Sequence, residues 1–276
     1  MAWHAHLTLH YERQGARTVA RHRHQGPLRI LQSLYPEGDD ICHNVLVHPP
    51  SGLVGGDILD IDIRLDAGCH GLVTTPGATR FYRSEGEAAV QRTRVRVADG
   101  ARLEWLPMEA LCYSGCRAEN RLTLSLDPGA QALGWDVTAL GLPEAGQPFA
   151  SGSLLQHLEV VGGWLERGHI DAGDARLMNG PLGLAGQRCM ATLFFAAGTP
   201  IDAALRERAL ESARELIEDH PLRPQAGATS PDPTVLVVRV LAPVVEPAMQ
   251  LLKSVRHAWR AALWDLASNP PRTWAL

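Results

Sequence analysis

Between Asp57 and about Val161 the apolar residues recur at every second position. This is the signature of strands with one buried face. Leu59, Ile61, Ile63 and Leu65 alternate with Asp60, Asp62 and Arg64, and Leu122, Leu124 and Leu126 alternate with Thr123 and Ser125. Three of the strands so predicted end in a similar turn: Leu65-Asp66-Ala67-Gly68, Val97-Ala98-Asp99-Gly100 and Leu126-Asp127-Pro128-Gly129. In each of them glycine can supply the positive φ that a tight turn requires. A second apolar stretch follows each turn, ending near Pro76, Pro107 and Val137. The three glycines stand 32 residues apart, from 68 to 100, and 29 residues apart, from 100 to 129. A unit of two strands and a turn therefore repeats, which predicts a β-solenoid-like stack of short strands. An antiparallel sandwich with similar hairpins is the alternative that the imperfect register leaves open.

Helical spacing replaces the two-residue period in the C-terminal third. Pro200-Ile201-Asp202 reads as a helix start with Asp202 as N-cap. Leu205, Ala209, Ala213, Leu216 and Ile217 then share one face until His220-Pro221. A second helix begins near Glu246-Pro247 and carries Met249, Leu252, Val255, Trp259, Leu263 and Leu266 on one stripe up to Asn269-Pro270-Pro271. Between them, Pro221 to Pro233 reads as a loop, and Val235 to Leu241 as a strand buried on both faces. Trp259, Trp264 and Trp274 read as core, with a protein interface as the alternative. The expected fold is mainly β with about two helices, one domain over 1–276, β-rich over 1–200 and helix-containing over 201–276.

Composition narrows the chemistry. A formal net charge of -4 over 276 residues leaves no basic footprint for a phosphate backbone, so nucleic acid is not an expected partner. Arg92, Arg94 and Arg96 read as a solvated strand face, and Lys253 is the only lysine, which argues against lysine chemistry. No stretch approaches the roughly 20 apolar residues of a membrane helix, and the N-terminus has no apolar export segment, so a cytoplasmic location is expected. The odd number of cysteines, Cys42, Cys69, Cys112, Cys116 and Cys189, then points to reduced thiols.

Signatures of catalysis are missing: there is no G-x-S-x-G elbow and no H-E-x-x-H pair. Ser51-Gly52-Leu53-Val54-Gly55-Gly56-Asp57 lacks the Gly-Lys-Ser/Thr ending of a phosphate-binding loop and reads as a tight turn. Imidazole and thiolate suit nickel, which makes Cys42, His43 and His48 metal-ligand candidates beside the N-terminal His4, His6, His10, His22 and His24. The N-terminal histidines chelate only if a third ligand converges on them. Cys112 and Cys116 miss the C-x-x-C spacing and read as buried thiols. Asp57, Asp60, Asp62, Glu104, Glu109, Asp136 and Glu166 lie in or beside predicted strands. Oxygens of this kind lining a polar conduit would pass a divalent cation from site to site.

One family is similar along nearly the whole chain. His48-Pro49-Pro50-Ser51-Gly52-Leu53-Val54-Gly55-Gly56-Asp57 and Leu72-Val73-Thr74-Thr75-Pro76-Gly77-Ala78-Thr79-Arg80-Phe81-Tyr82-Arg83-Ser84 resemble the UreD family of urease accessory proteins, called UreH in some bacteria. The resemblance continues through Leu103-Glu104-Trp105-Leu106-Pro107-Met108-Glu109, Leu133-Gly134-Trp135-Asp136-Val137 and Pro271-Arg272-Thr273-Trp274. It implies a non-catalytic metallochaperone scaffold that joins UreF and the GTPase UreG on the urease apoprotein, with nickel as transient cargo and no tightly bound cofactor. It also implies an internal polar passage, for which Asp57, Thr75, Arg80, Tyr82, Ser84, Glu109 and Asp136 are the matching candidates. The segment Cys112-Tyr113-Ser114-Gly115-Cys116 departs from the family pattern. A β-solenoid enzyme acting on carbohydrate through paired carboxylates is the alternative.

Overall fold

The computed structural model describes residues 2–275, so Met1 and Leu276 of the expected 1–276 span lie outside the described residues. An N-terminal hairpin of β1 (His4–Gln14) and β2 (Arg17–Gln25) is followed by the short β3 (Arg29–Ile30) and by β4 (Ile41–Val47). The first coil comprises β5 (Ile58–Leu65), β6 (His70–Thr74) and β7 (Thr79–Phe81), and the second comprises β8 (Ala89–Val97), β9 (Arg102–Leu106) and β10 (Ala110–Cys112). The third begins with β11 (Cys116–Leu126) and β12 (Gln131–Leu142), followed by the short β13 (Gln147–Pro148). Then come β14 (Gly152–Val160), β15 (Trp164–Asp171), α1 (Ala175–Asn179) and β16 (Cys189–Ala197). The chain finishes through α2 (Ala203–Glu218), β17 (Ala226–Asp232), β18 (Val235–Ala242) and α3 (Val245–Trp264).

Strands of successive coils lie side by side in parallel. One sheet runs β15-β14-β11-β8-β5-β1-β2 and the other β17-β18-β16-β12-β9-β6-β4-β3, with β5, β8, β11 and β14 parallel along the first. The result is a mainly β fold, a solenoid of about four turns, and the antiparallel-sandwich alternative is set aside. The repeated turns stack as the spacing predicts. Ala98 N donates to Leu65 O at 3.0 Å and Asp127 N to Val97 O at 2.9 Å, so each turn satisfies its neighbour's backbone. Gly129 has φ +80°, and a Cβ there would meet Asp99 Oδ1 at 2.2 Å, so both backbone conformation and stacking demand glycine.

Two apolar layers hold the stack together. The first lies between the sheets and contains Leu59, Ile61, Ile63, Val95, Val97, Leu122 and Leu124, the inward set of the alternation. The second lies between the outer face of the larger sheet and the helices and includes Trp135, Leu193, Ala209, Ala213, Leu252, Val255 and Trp259. β18 belongs to both, since Val235 and Val237 face the first and Leu236, Val238 and Val240 face the second. That accounts for its unbroken apolar run. Asp202 caps α2 as expected, accepting from Leu205 N at 2.9 Å.

One expectation is corrected, and one short helix is added outside the C-terminal third. The segment expected to be a loop from Pro221 to Pro233 contains the edge strand β17, paired antiparallel to β18. Its Gly, Ser, Thr and Pro composition hides the strand. An edge strand satisfies backbone on one side only, and the register shift between Thr229 and Asp232 accommodates Pro231. The short α1 adds a third helix; its Asp174 cap accepts from Leu177 N at 2.9 Å. Of the tryptophans, Trp259 and Trp264 are buried, and Trp274 packs 5.0 Å from Trp135.

Candidate functional site

Polar residues break the inward alternation at one level of the stack. Gln91 of β8 lies beside Asn120 of β11, which lies beside Gln156 of β14, in consecutive parallel register. These positions correspond to the buried Leu59 of β5, so the ladder carries amides where the first coil carries a leucine. Gln91 Nε2 donates to Asn120 Oδ1 at 3.3 Å. From the opposite sheet Asp136 of β12 reaches into the same space. Its carboxylate accepts from Asn120 Nδ2 at 2.8 Å, from Gln156 Nε2 at 2.5 Å and from Thr138 Oγ1 at 3.2 Å.

Asp136 is buried, and burial pushes its carboxyl up to about 6; the three donors restrain the shift and the Glu166 charge adds to it. Near neutral pH it is therefore a carboxylate held at an energetic cost, which a nearby cation would offset. A raised folded-state pKa contributes stability that is complete below the unfolded value near 4 and is lost as pH rises through about 6. Asp136→Asn is expected to remove that component, worth about 3 kcal/mol across the window. Chemical denaturation from pH 4 to 7 checks this; wild-type and variant stabilities that run parallel in pH would refute the assignment.

A cleft of ≈300 Å³ opens beside this carboxylate. Its walls include His48, Ser51, Thr75, Thr79, Arg80 and Gln91. Thr79 and Gln91 also line a chamber of ≈20 Å³ that contains Asn120 and Asp136. A space of that size holds about one water. The cleft and the chamber thus share a wall, and Asp136 lies at the inner end.

The structure brings Thr75, Arg80 and Asp136 of the sequence candidates to this feature. Thr75 Oγ1 donates to Gly77 O at 2.9 Å and accepts from Met108 N at 2.9 Å, which ties the two loops at the cleft rim. The remaining candidates line neither cavity. Asp57 caps a turn, accepting from Trp3 N at 2.7 Å and Val54 N at 2.9 Å. Tyr82 stacks 4.9 Å from Tyr113 and covers Gly52, where any Cβ would meet its ring at 2.2 Å. Ser84 donates to Tyr82 O at 3.3 Å. Glu109 lies in the loop between β9 and β10, near Cys189, whose thiol is pushed up to about 12 by burial first and by Glu109 next.

The metal-ligand candidates do not converge. The Cys42 thiol donates to Asn44 Oδ1 at 3.5 Å, His43 Nε2 pairs with Glu37 Oε1 at 2.9 Å, and His48 lines the cleft. Cys42 and His43 are consecutive on β4 and so face opposite ways. The N-terminal histidines pair with carboxylates on the outer sheet face: His4 with Asp60 at 2.9 Å, His6 with Asp62 at 2.8 Å and His10 with Asp66 at 2.9 Å. Among the described residues no group of three or more His, Cys, Asp or Glu is arranged to hold a metal ion, and all five cysteines are free and buried.

Glu104 is not exposed to the interior. It faces α3, where Arg256 Nε lies 3.0 Å from Oε2, Arg260 Nε 3.2 Å from Oε1 and His70 Nε2 3.4 Å from Oε1. Arg260 Nη2 continues to Glu37 Oε2 at 2.8 Å, and Glu37 holds His43. Burial alone would raise the Glu104 carboxyl, but Arg256, His70 and Arg260 outweigh it and hold the group down at about 2. This cluster fastens α3 to the solenoid.

Together these features define a helix-capped β-solenoid with a polar level in a largely apolar interior, next to a surface cleft. The UreD urease accessory protein family matches residues 4–275. Urease accessory protein UreD of Variovorax paradoxus (strain S110) is 67% identical over 275 residues, covering 100% of both chains. The protein of the same description from Paracidovorax citrulli (strain AAC00-1) is 66% identical over 276 residues, again with 100% of both chains covered. This chain belongs to the UreD family of urease accessory proteins.

Proposed function

We propose that the chain is a non-catalytic scaffold of urease maturation, which with UreF and UreG binds the urease apoprotein and supports insertion of nickel into its active site. Nickel is transient cargo in this reading, and the setting is the cytoplasm. No described helix is long and apolar enough to cross a membrane. Family membership supports the maturation role. The observation that supports a passage is the buried Asp136 carboxylate, surrounded by Gln91, Asn120, Gln156 and Thr138 and adjoining the Thr75/Arg80 cleft.

The chemistry suits transfer better than storage. The Asp136 carboxylate with amide and hydroxyl oxygens around it and the Glu166 charge nearby offers a hard-ligand environment without a closed cage, which favours brief residence of a hydrated divalent cation. Two side-chain donors occupy Oδ1 and one occupies Oδ2, so a cation bound through both oxygens would displace at least one of them. Amide side chains can do this by rotating to present their oxygens.

The direct test is nickel content and activity of urease made with its structural subunits, UreF and UreG, in the presence and absence of this chain. Omission is expected to leave urease subunits assembled but nickel-poor. Equal nickel content in both preparations would sink the maturation role itself.

A further inference from the structure

The surface cleft has the wrong charge to attract a metal cation by itself. Arg80 lies in its wall and has no ion-pair partner among the described residues. None of the residues that line the cleft is Asp or Glu. Guanidinium stays protonated at any physiological pH, so the mouth carries a fixed positive charge. His48, in the same wall, has a buried Nε2 without a hydrogen-bond partner, and burial holds its pKa below the ordinary value, which leaves a neutral ring. Ser51, also in the wall, adopts φ 62°, a left-handed conformation that a non-glycine residue holds only when its surroundings impose it.

We propose that this cleft receives an acidic side chain from a protein partner, whose carboxylate pairs with Arg80 and whose flanking apolar atoms fill the remaining space. The cleft volume of ≈300 Å³ and the apolar walls, Leu28, Leu46, Leu53 and Pro49, fit a carboxylate attached to an apolar segment. A free formate or acetate would leave most of those walls wet. Arg80 supplies the planar fork that recognises a carboxylate, and the neutral His48 ring adds no competing charge to the wall. The inference goes beyond the nickel reading: it assigns Arg80 to partner recognition rather than to carrying the cation. Docking there would cover the outer end of the route to Asp136 and place a carboxylate over the Arg80 charge.

A photo-cross-linking residue in place of Gly77 reports the occupant, because a Cβ at that position meets nothing within 4 Å. The full-length chain carrying it is made in cells with UreF, UreG and the urease subunits, irradiated, and the cross-linked peptide is sequenced by mass spectrometry. The expected product is one partner segment containing Asp or Glu. Arg80→Gln should lower its yield at least about tenfold, since it removes the charge with which the carboxylate pairs. Arg80→Glu combined with Arg at the partner's acidic position should restore it, which a fold defect would not allow. No cross-link, a cross-linked segment without a carboxylate, or a yield indifferent to Arg80→Gln each overturns the proposal. So does thermal protection of the wild-type chain by millimolar acetate with no cross-link, which would mark a small-anion site. Urease nickel content in the same cells reads the maturation role separately, so the two readings can fail independently.

Discussion

Asp136→Ala is expected to leave the solenoid folded and bound to its partners while reducing nickel incorporation into urease at least about tenfold. The substitution removes the carboxylate that the amides of the polar level surround and leaves the neighbouring Glu166 in place. It leaves Asn120 and Gln156 without their acceptor. A weakly held cation owes much of its residence time to that negative charge, and a loss of 1.4 kcal/mol or more is a tenfold change. The stability effect should be small by comparison. At neutral pH the wild-type fold carries an ionised carboxylate whose pKa has been raised to about 6, so deleting it removes a destabilising charge along with three hydrogen bonds. Metal analysis of purified urease, paired with co-purification of the variant with UreF, separates the two effects. Full nickel loading by Asp136→Ala would close the passage reading while leaving a purely structural scaffold possible. Loss of loading together with loss of UreF binding would assign Asp136 to assembly instead.

Glu104→Ala should have the largest effect on folding. Its carboxylate is fully buried between β9 and α3, and it is the shared partner of Arg256 and Arg260. Truncation leaves two guanidinium groups in an apolar layer with one fewer counter-charge, and breaking a buried pair in this way costs about 3–5 kcal/mol. That is a large fraction of the stability of an ordinary domain. The variant is expected to unfold at lower denaturant or to accumulate as aggregate. The packing explanation can be distinguished from the charge explanation. Glu104→Leu with Arg256→Met restores apolar volume and removes one cation, so it should recover much of the loss if charge is responsible. Equal destabilisation in the single and double variants would show that shape dominates. The pH sign is also fixed: with the Glu104 carboxyl held at about 2, its contribution is complete above the unfolded value near 4.5 and fades only as pH falls toward 2. Asp136 has the opposite sign, so acid from pH 6 to 4 should relieve one buried group before it threatens the other.

The polar level of the interior was partly legible. Gln91 and Asn120 occupy inward positions in strands whose other inward residues, Thr93 excepted, are apolar, a local break in the two-residue period that a register-aware reading detects. Gln156 breaks its own strand in the same way, between Leu154 and Leu158. Their convergence was not legible, because it depends on which strands become neighbours. The family resemblance pointed to Asp136, Thr75 and Arg80, which do meet at the cleft and chamber. It also pointed to Asp57, Tyr82, Ser84 and Glu109, which line neither cavity: Asp57 caps a turn, Tyr82 packs against Tyr113, and Ser84 donates to Tyr82 O. A motif residue near a site in sequence can hold the loop that forms the site without touching the site itself.

Local chemistry was enough to specify the repeated strand and turn, the two long helices with the Asp202 cap, and the doubly buried β18. In each of these the signal is a period, a cap or a glycine, all properties of a few adjacent residues. Tertiary structure alone decided the parallel stacking of the coils, the edge strand β17 in a segment composed like a loop, and the faces to which the buried carboxylates belong. Glu104 and Asp136 both sit in apolar strands, yet one meets arginines 152 residues or more away on α3 and the other meets amides from the opposite sheet. Backbone pattern says that such a side chain is buried. Only the packing of distant elements says whether a cation, an amide or an open cleft lies opposite it, and that difference separates a structural ion cluster from a candidate site for nickel.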